Sequence, residues 1–508
     1  VPGAVPSPPA VGRETLLRRL AIWVALYGIP ISVIAAPVLD WDIWWHLRAG
    51  QWVVEHRTVP QTDPFSSYGE GHRWIAYSWL FELLVAGLYA GLGLTGILIY
   101  RAVVGLALFA AVQALIVRRV PHFFRAALLT AVAFFALAPV LSERSWLFSL
   151  LFYTLTLDAV LGLREGRVGR VVWLLPLLYA LGANLHIQFV NGLALLGLAC
   201  AAPVIDRVFR LREPDDSAAT AFSRAWWRLV AVTGLCAAAT LVNPYHVRLY
   251  LAVIELPTQS GAYQYIQELQ PLSFRVPSDW VVLGLFAVAV FVLGRRGKAS
   301  AFDLLLMAGS AYLTFHARRE LWTLVLASVA VLVERRGAQP PEAERFPLTG
   351  RRALVVAAGA AAVFAGFAWY HDLSEGHLRE QVGTRFPEAA CRFVEGQDYG
   401  GPMYTTYGWG GFLMWRLPRL KPNIDGRANL HGSERIERTL RTDAAWPGWD
   451  RDPDLMSARL VIVPANHPLV QVLERDPRFH RVYKDHVAFV SYNPDPPGPA
   501  ADPAEAEK

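Results

Sequence analysis

The chain has 508 residues, of which 54% are hydrophobic and only 18% charged, with 18 Trp among them. That balance excludes a water-soluble chain and points to a polytopic membrane protein. The formal net charge of +6 needs no nucleic-acid partner, because the arginine surplus sits in short loops between apolar runs, where positive-inside bias places it.

Residues 1–12 are rich in Pro, Ala and Gly and read as a disordered N-terminus. Apolar runs able to cross a bilayer follow near 18–39, 96–117, 124–141, 146–163, 171–186, 188–205, 229–243, 279–294, 301–316, 320–334 and 353–370. Basic clusters sit at Arg13 to Arg19, Arg118 to Arg125, Arg164 to Arg170, Arg207 to Arg228, Arg295 to Lys298 and Arg335 to Arg352. With all of these on the cytoplasmic side, the loops 40–77, 142–145, 243–278, 316–319 and the tail from 371 face outward. Ser78 to Leu92 is apolar but carries Glu82 and is bounded by Gly91 and Gly93. Counting it as a span inverts every later loop, so it reads as an interfacial helix.

The expected architecture is a polytopic α-helical membrane protein of about eleven transmembrane helices plus interfacial helices, over 13–371. Its first outer loop is 40–92. From 372 to 493 the apolar content falls, and strand-like runs at 402–407, 460–463 and 487–492 alternate with helical stretches at 387–396 and 466–475. This is the pattern of a small extracytoplasmic α/β domain. Residues 494–508 read as a disordered tail.

The first outer loop carries the strongest chemical signal. Asp40-Trp-Asp42-Ile-Trp-Trp-His46-Leu-Arg48 puts two carboxylates, a histidine and an arginine at the mouth of an apolar helix. Tryptophan is expected at a membrane interface, but paired carboxylates there are costly. Residues 43–56 have helical periodicity and predict an amphipathic helix in the interface. Thr58 to Ser66 then forms a Pro-broken loop with a third carboxylate, Asp63. A desolvated carboxylate at such a boundary can act as a general base. One of Asp40 and Asp42 is expected to cap the helix, and the other to be functional.

This order of elements, over roughly 15–165, resembles the GT-C glycosyltransferases, polytopic enzymes that use polyprenyl-phosphate sugars. They include protein mannosyltransferases and the aminoarabinose transferase of lipid A. The matching features are an N-terminal span ending in an Asp motif, an interfacial helix, an outer loop, a Trp79-Leu80 helix and Arg101 opening the next span. The resemblance implies that an Asp of the first outer loop is the catalytic base, with Asp42 matching best and Asp40 second. Ile43 follows Asp42 where the family commonly has an Asp-Glu pair, and Ala76-Tyr-Ser-Trp-Leu80 stands where it has a Pro-Pro-Leu step. The chain also resembles a group of bacterial membrane proteins that share the Asp-x-Trp-Trp-His-Leu-Arg-x-Gly-Gln-Trp and Thr-Asp-Pro-Phe-Ser elements.

Polar groups recur on the other outward loops, at Ser142-Glu-Arg144, Asn184-Leu-His186-Ile-Gln188, Asn243-Pro-Tyr-His246-Val-Arg248 and His316-Ala-Arg318-Arg319-Glu320. Arginine suits phosphate, so Arg144, Arg248, Arg318 and Arg319 are candidates for binding the donor phosphate, or else they snorkel and cap helix ends. His46, Arg48, Asp63, Glu82, His186 and His246 are candidates for the substrate pocket. In the tail, Tyr407-Gly-Trp-Gly-Gly411 suggests a close backbone approach. Asp425-Gly-Arg427 either hydrogen-bonds an acceptor or forms an Asp-Gly turn closed by an Arg–Asp pair. A His with Asp40, Asp42 or Asp63 could hold a divalent ion such as Mg or Mn, but no metal-binding spacing is present and no resident metal is assigned.

The leading functional expectation is a multi-pass enzyme of the bacterial cytoplasmic membrane, its N-terminus cytoplasmic and its C-terminal domain outside. It would move a sugar from a polyprenyl-phosphate donor to an extracytoplasmic acceptor, a glycan, lipid or protein. The alternatives are a transporter or flippase of lipid-linked substrates, which calls for mid-membrane charges and an inverted repeat, and a non-catalytic envelope assembly protein.

Overall fold

The computed structural model describes residues 13–167, 169–209, 216–255, 264–296, 299–333, 348 and 350–497. The two ends read as disordered lie outside the described residues, except 494–497. The chain opens with helices α1 (Arg13–Leu26), α2 (Gly28–Ile34), α3 (Ile43–His56), α4 (Trp79–Leu92) and α5 (Leu94–Val117). It folds as two compact units. The first comprises Val1–Ala36, Ile99–Asn243 and Glu268–Leu373, the second Pro37–Leu98, Pro244–Gln267 and Ser374–Lys508. The first outer loop therefore clusters with the tail.

The first unit is a helical membrane body, and a helix stands at each of the eleven expected crossings. Among the described residues, seven helices are long and apolar enough to span: Arg13–Ile34, Leu94–Val117, Phe123–Val140, Trp146–Arg164, Phe189–Val208, Pro277–Arg295 and Arg351–Tyr370. The helices Leu175–Leu185, Ala301–His316 and Leu321–Val333 are shorter than the roughly 20 residues that cross a bilayer core. Leu321–Val333 is buried almost all round, as expected for a helix at the centre of a bundle.

Polar groups at the two ends of the bundle pair among themselves. At one end Arg119 bonds Asp158 and, at 2.8 Å, Glu165, while Arg164 donates to Ser300 at 3.1 Å and Arg296 to the Val331 carbonyl at 2.5 Å. At the other, Arg144 meets Glu268 at 2.7 Å and Gln188 donates to Glu320 at 2.5 Å. Residues expected on the same side thus meet one another, in line with the alternation that the charge bias predicts.

Buried Arg101 binds Glu143 and the carbonyls of Ile34 and Ala36. A helix leaves its last carbonyls without partners, and a guanidinium supplies donors for them. The end of the first span is thereby fixed, four residues before Asp40 in the chain.

In the second unit, α3 covers the predicted residues 43–56, and protein covers its apolar face. Trp44 is 1% exposed and packs edge-on against Phe386 and Phe412, at ring separations of 5.2 and 4.9 Å. Helix α4 lies against α3 at Gly50, where a Cβ would overlap the Glu82 carbonyl. With 14 residues, α4 is about 21 Å long, short of a hydrocarbon core of about 30 Å.

The tail forms a four-stranded sheet of β1 (Met403–Thr405), β2 (Leu460–Pro464), β3 (His480–Lys484) and β4 (Ala488–Tyr492), in the order β1-β2-β4-β3. Strands β1 and β2 are parallel, and the other pairings are antiparallel. Tyr404, Val461, Val463 and Phe489 share one buried cluster with Leu469 and Leu473 of the helix Pro468–Leu473.

The close approach at Gly50 gives a test. Gly50→Leu forces α3 and α4 apart and should destabilise the second unit by about 1–3 kcal/mol, seen as a lower thermal midpoint in detergent. Gly91→Ala, at a position with nothing within 4 Å, should not lower it.

Candidate active site

The site in the second unit is built around a guanidinium. Arg427, 2% exposed, donates to Asp63 at 2.6 Å and to Asp425 at 2.7 and 2.8 Å. Its charge sits 4.6 Å from the Trp74 ring centre and 5.3 Å from that of Phe65. Asp63 also accepts from Ser66 Oγ at 2.6 Å and from the backbone N–H groups of Phe65 and Ser66 at 3.1 Å. Asp425 meets His431 Nε2 at 3.1 Å. Burial alone would raise the Asp425 pKa, yet Arg427 and His431 hold it below the usual carboxylate range. The Asp425-Gly-Arg427 segment therefore takes the paired form, with both charged groups satisfied inside the fold.

This network joins two segments far apart in sequence. The Ser67 N–H donates to the Pro422 carbonyl at 3.0 Å. The hydroxyl of Tyr245 donates to the Pro60 carbonyl at 2.7 Å and accepts from the Ala76 N–H at 3.0 Å. The first outer loop is thus held at Pro60, Ser67 and Ala76.

Asp42 occupies the N-cap position of α3, and its side chain makes no cap bond. Asp40 turns the chain instead, its carboxylate accepting the Asp42 N–H at 2.9 Å. Both are half-buried. A Cβ on Gly426 would overlap the Asp42 carboxylate, so the glycine makes room for it. The neighbouring glycines act alike: side chains at Gly408, Gly410 and Gly411 would meet Trp41, the Ile424 carbonyl and Trp45. These are the close approaches that the glycine run predicted.

His46 and Glu82 lie buried together, with Nδ1 and Oε1 3.4 Å apart. Burial pushes the Glu82 pKa up to about 8, against the opposing pull of Arg427. Arg48 is turned to Glu55 at 3.1 Å. His246 and Arg248 are exposed, and His246 has a positive φ of 50°.

In the first unit, the expected arginines divide. Arg144 and Arg319 both bear on His186, whose pKa falls to about 3 through burial and then through those two charges. His186 Nδ1 lies 3.1 Å from Ser149 Oγ. Arg319 also pairs with Glu320 at 3.3 Å, and Arg318 turns to Asp279 at 3.4 Å. Arg144, His186 and Arg319 thus influence one another electrostatically, beside Ser149, Gln188 and the carboxylates of Glu268 and Glu320. Ser149 lies inside an apolar run and gave no signal of its own. Tyr245 and His431 were also unmarked, because nothing in the sequence tells a clamping tyrosine or a buried histidine from a surface one. Among the described residues, no group of three or more His, Cys, Asp or Glu is placed to hold a metal ion.

No family model and no curated protein sequence matches the chain. Among solved structures, it is similar to the arabinofuranosyltransferase AftD from mycobacteria, at 15% identity and a TM-score of 0.41 over 96% of this chain and 40% of that one. It is also similar to ArnT from Cupriavidus metallidurans bound to undecaprenyl phosphate, at 12% identity and a TM-score of 0.26 over 95% and 98% of the two chains. Both are GT-C membrane glycosyltransferases, the class that the first outer loop resembles. This chain spans under half the length of AftD. At TM-scores below 0.5 neither likeness carries the functional argument, which rests on the chain's own residues.

Two outcomes test the site. Arg427→Met strands two buried carboxylates and should cost about 3–5 kcal/mol, read as a fall in thermal midpoint and faster proteolysis of the tail. For Glu82 the folded pKa lies above the unfolded value of about 4.5. Its contribution to stability is therefore full below that value and is lost as pH rises through about 8. Between about pH 5 and 8 the wild-type melting midpoint should fall more steeply than that of Glu82→Gln. Equal slopes would mean that the carboxyl is ionised throughout.

Proposed function

We propose that the chain is a membrane glycosyltransferase that moves a sugar from a polyprenyl-phosphate donor to an extracytoplasmic acceptor, with Asp42 as the base. Asp63 is buried and bound to Arg427. One observation carries this reading: Asp42 is half-buried at the N-terminus of α3, with its carboxylate against the bare backbone of Gly426. It stands at the positive end of the α3 dipole, a favourable place for negative charge, and a side-chain-free backbone at Gly426 leaves it room.

In this reading Asp42 takes the proton of the acceptor hydroxyl as that oxygen attacks the anomeric carbon. The bond to the donor phosphate breaks, and the polyprenyl phosphate leaves with the electron pair. The anomeric configuration inverts. Arg144 and Arg319 are the guanidiniums suited by their chemistry to bind a donor phosphate. Arg318 and Arg248 are secondary candidates for the same phosphate. The outward loops and the tail lie outside the cytoplasmic membrane, with the N-terminus in the cytoplasm.

A transporter needs uncommitted charge inside the bundle. The two candidates, Arg101 and Asp158, are engaged by Glu143 and by Arg118 and Arg119.

Asp42→Asn should abolish sugar transfer from polyprenyl-phosphate hexoses or pentoses in reconstituted vesicles, with insertion and melting temperature unchanged. Full activity in that variant overturns the assignment. Arg319→Ala should raise the apparent KM for the lipid donor by about tenfold or more, the cost of one charge-assisted hydrogen bond.

A further inference from the structure

A cavity of about 560 Å³ opens in the second unit away from Asp42, which forms no part of its wall. Its volume falls within the range of small-molecule sites, roughly 300–1,000 Å³. Tyr89 and Trp415 supply aromatic surface over the buried Trp44, and Arg379, Arg392, Arg416, Glu380 and Glu388 line it with charged groups. Trp44 and Trp415 lie with ring centres 5.0 Å apart, and Tyr89 meets Trp415 edge-on at 5.5 Å. Trp415 and Tyr89 are half-buried, so part of each ring still faces solvent.

Two of the three guanidiniums in the wall, Arg379 and Arg416 but not Arg392, arrive already paired. Arg416 donates to Glu388 at 2.9 and 3.1 Å and to Glu395 at 2.7 Å. Arg379 meets Glu375 at 2.7 Å, and Glu375 is itself held by the Thr95 N–H at 3.0 Å. A phosphate would have to displace carboxylates from Arg379 and Arg416, leaving it only the exposed Arg392, which shares the wall with Glu380 and Glu388. A lipid tail would meet a wall crowded with charge. What the cavity offers is fixed donors and fixed acceptors beside aromatic faces, with little net charge to be met. That combination complements a ligand with apolar C–H faces and many hydroxyls, each able both to donate and to accept.

We propose that this cavity is a neutral-saccharide subsite, separate from the Asp42 carboxylate, and that it grips the non-reacting part of a glycan acceptor. The saccharide part of this proposal stands on the cavity alone. The acceptor part rests on the glycosyltransferase reading above. Binding energy gathered at such a distance can be used to position the reacting end.

The test is titration of the full chain in nanodiscs with neutral tri- to hexasaccharides of gluco, manno and galacto configuration, followed by saturation-transfer NMR and calorimetry. Inorganic phosphate serves as competitor. At least one saccharide should bind saturably below about 10 mM, unaffected by phosphate. Trp415→Ala should weaken it by at least about tenfold, or ~1.4 kcal/mol. Because Trp415 also packs on Trp44, Arg379→Ala is the second variant. Arg379 is 58% exposed at its side chain, so its loss should weaken binding with no change in melting temperature. Asp42→Asn should bind saccharide as the wild type does while failing to transfer sugar. The proposal is overturned if no saccharide saturates, if phosphate displaces the one that binds, or if both cavity variants bind normally. Failure here with transfer still dependent on Asp42 removes the subsite and leaves the enzyme reading standing.

Discussion

Arg427 carries a full charge into a part of the second unit that water does not reach. Desolvating a guanidinium is tolerable only where carboxylates and hydrogen bonds replace the lost water, and Asp63 and Asp425 do so from segments more than 360 positions apart. The pairing has a geometric consequence. Once Asp63 and Asp425 share one guanidinium, the loop after α3 and the turn at Gly426 are held in one relation. Gly426 is next to Arg427, and its bare backbone is what the Asp42 carboxylate packs against. The position of the candidate base is therefore set by an ion pair to which it does not belong.

The same economy governs the first unit. Arg101, Arg119, Glu143 and Glu320 are all buried, and each is engaged by a partner of opposite charge or by backbone carbonyls. In a bilayer the cost of an unpartnered charge exceeds that in water, so the pairing fixes which helix ends can neighbour one another. Arg144 and Arg319 are also paired, yet after burial their charges are the next causes that lower the His186 pKa. Structural pairing and a residual positive field coexist because each guanidinium has five donors, more than a single carboxylate takes up.

Helices were the most legible part of the sequence. A run of apolar residues has few other solutions in a membrane, so the eleven crossings and α3 read directly from hydropathy and period. Strands β1, β2 and β4 showed as short apolar runs. Strand β3, His480–Lys484, did not, because it is a largely exposed edge with Arg481 and Lys484 on it, and edges are built from such residues. Charge pattern could not show what covers α3. Its amphipathic face looks the same whether lipid or protein lies on it, and here Phe386, Phe412 and Trp415 do. The glycines at 408, 410 and 411 gave the one clear hint that backbone would approach closely there.

Spacing alone narrowed the carboxylates of the first outer loop to a group, and the family resemblance ranked Asp42 above Asp40. Those two flank Trp41 at the end of an apolar helix, while Asp63 follows in the Pro-broken loop. The structure sets Asp63 apart by what it has already spent. Asp63 has given its oxygens to a guanidinium, a hydroxyl and two N–H groups, a full complement for a carboxylate. Asp40 has taken the turn that brings the chain into α3. A group that holds the fold together cannot gain and lose a proton each turnover without loosening it, since protonation would break the charge-assisted bonds it makes. Asp63 is therefore excluded as the base by its structural duty, and the proposal of Asp42 rests on its place at the start of α3 beside the bare backbone of Gly426.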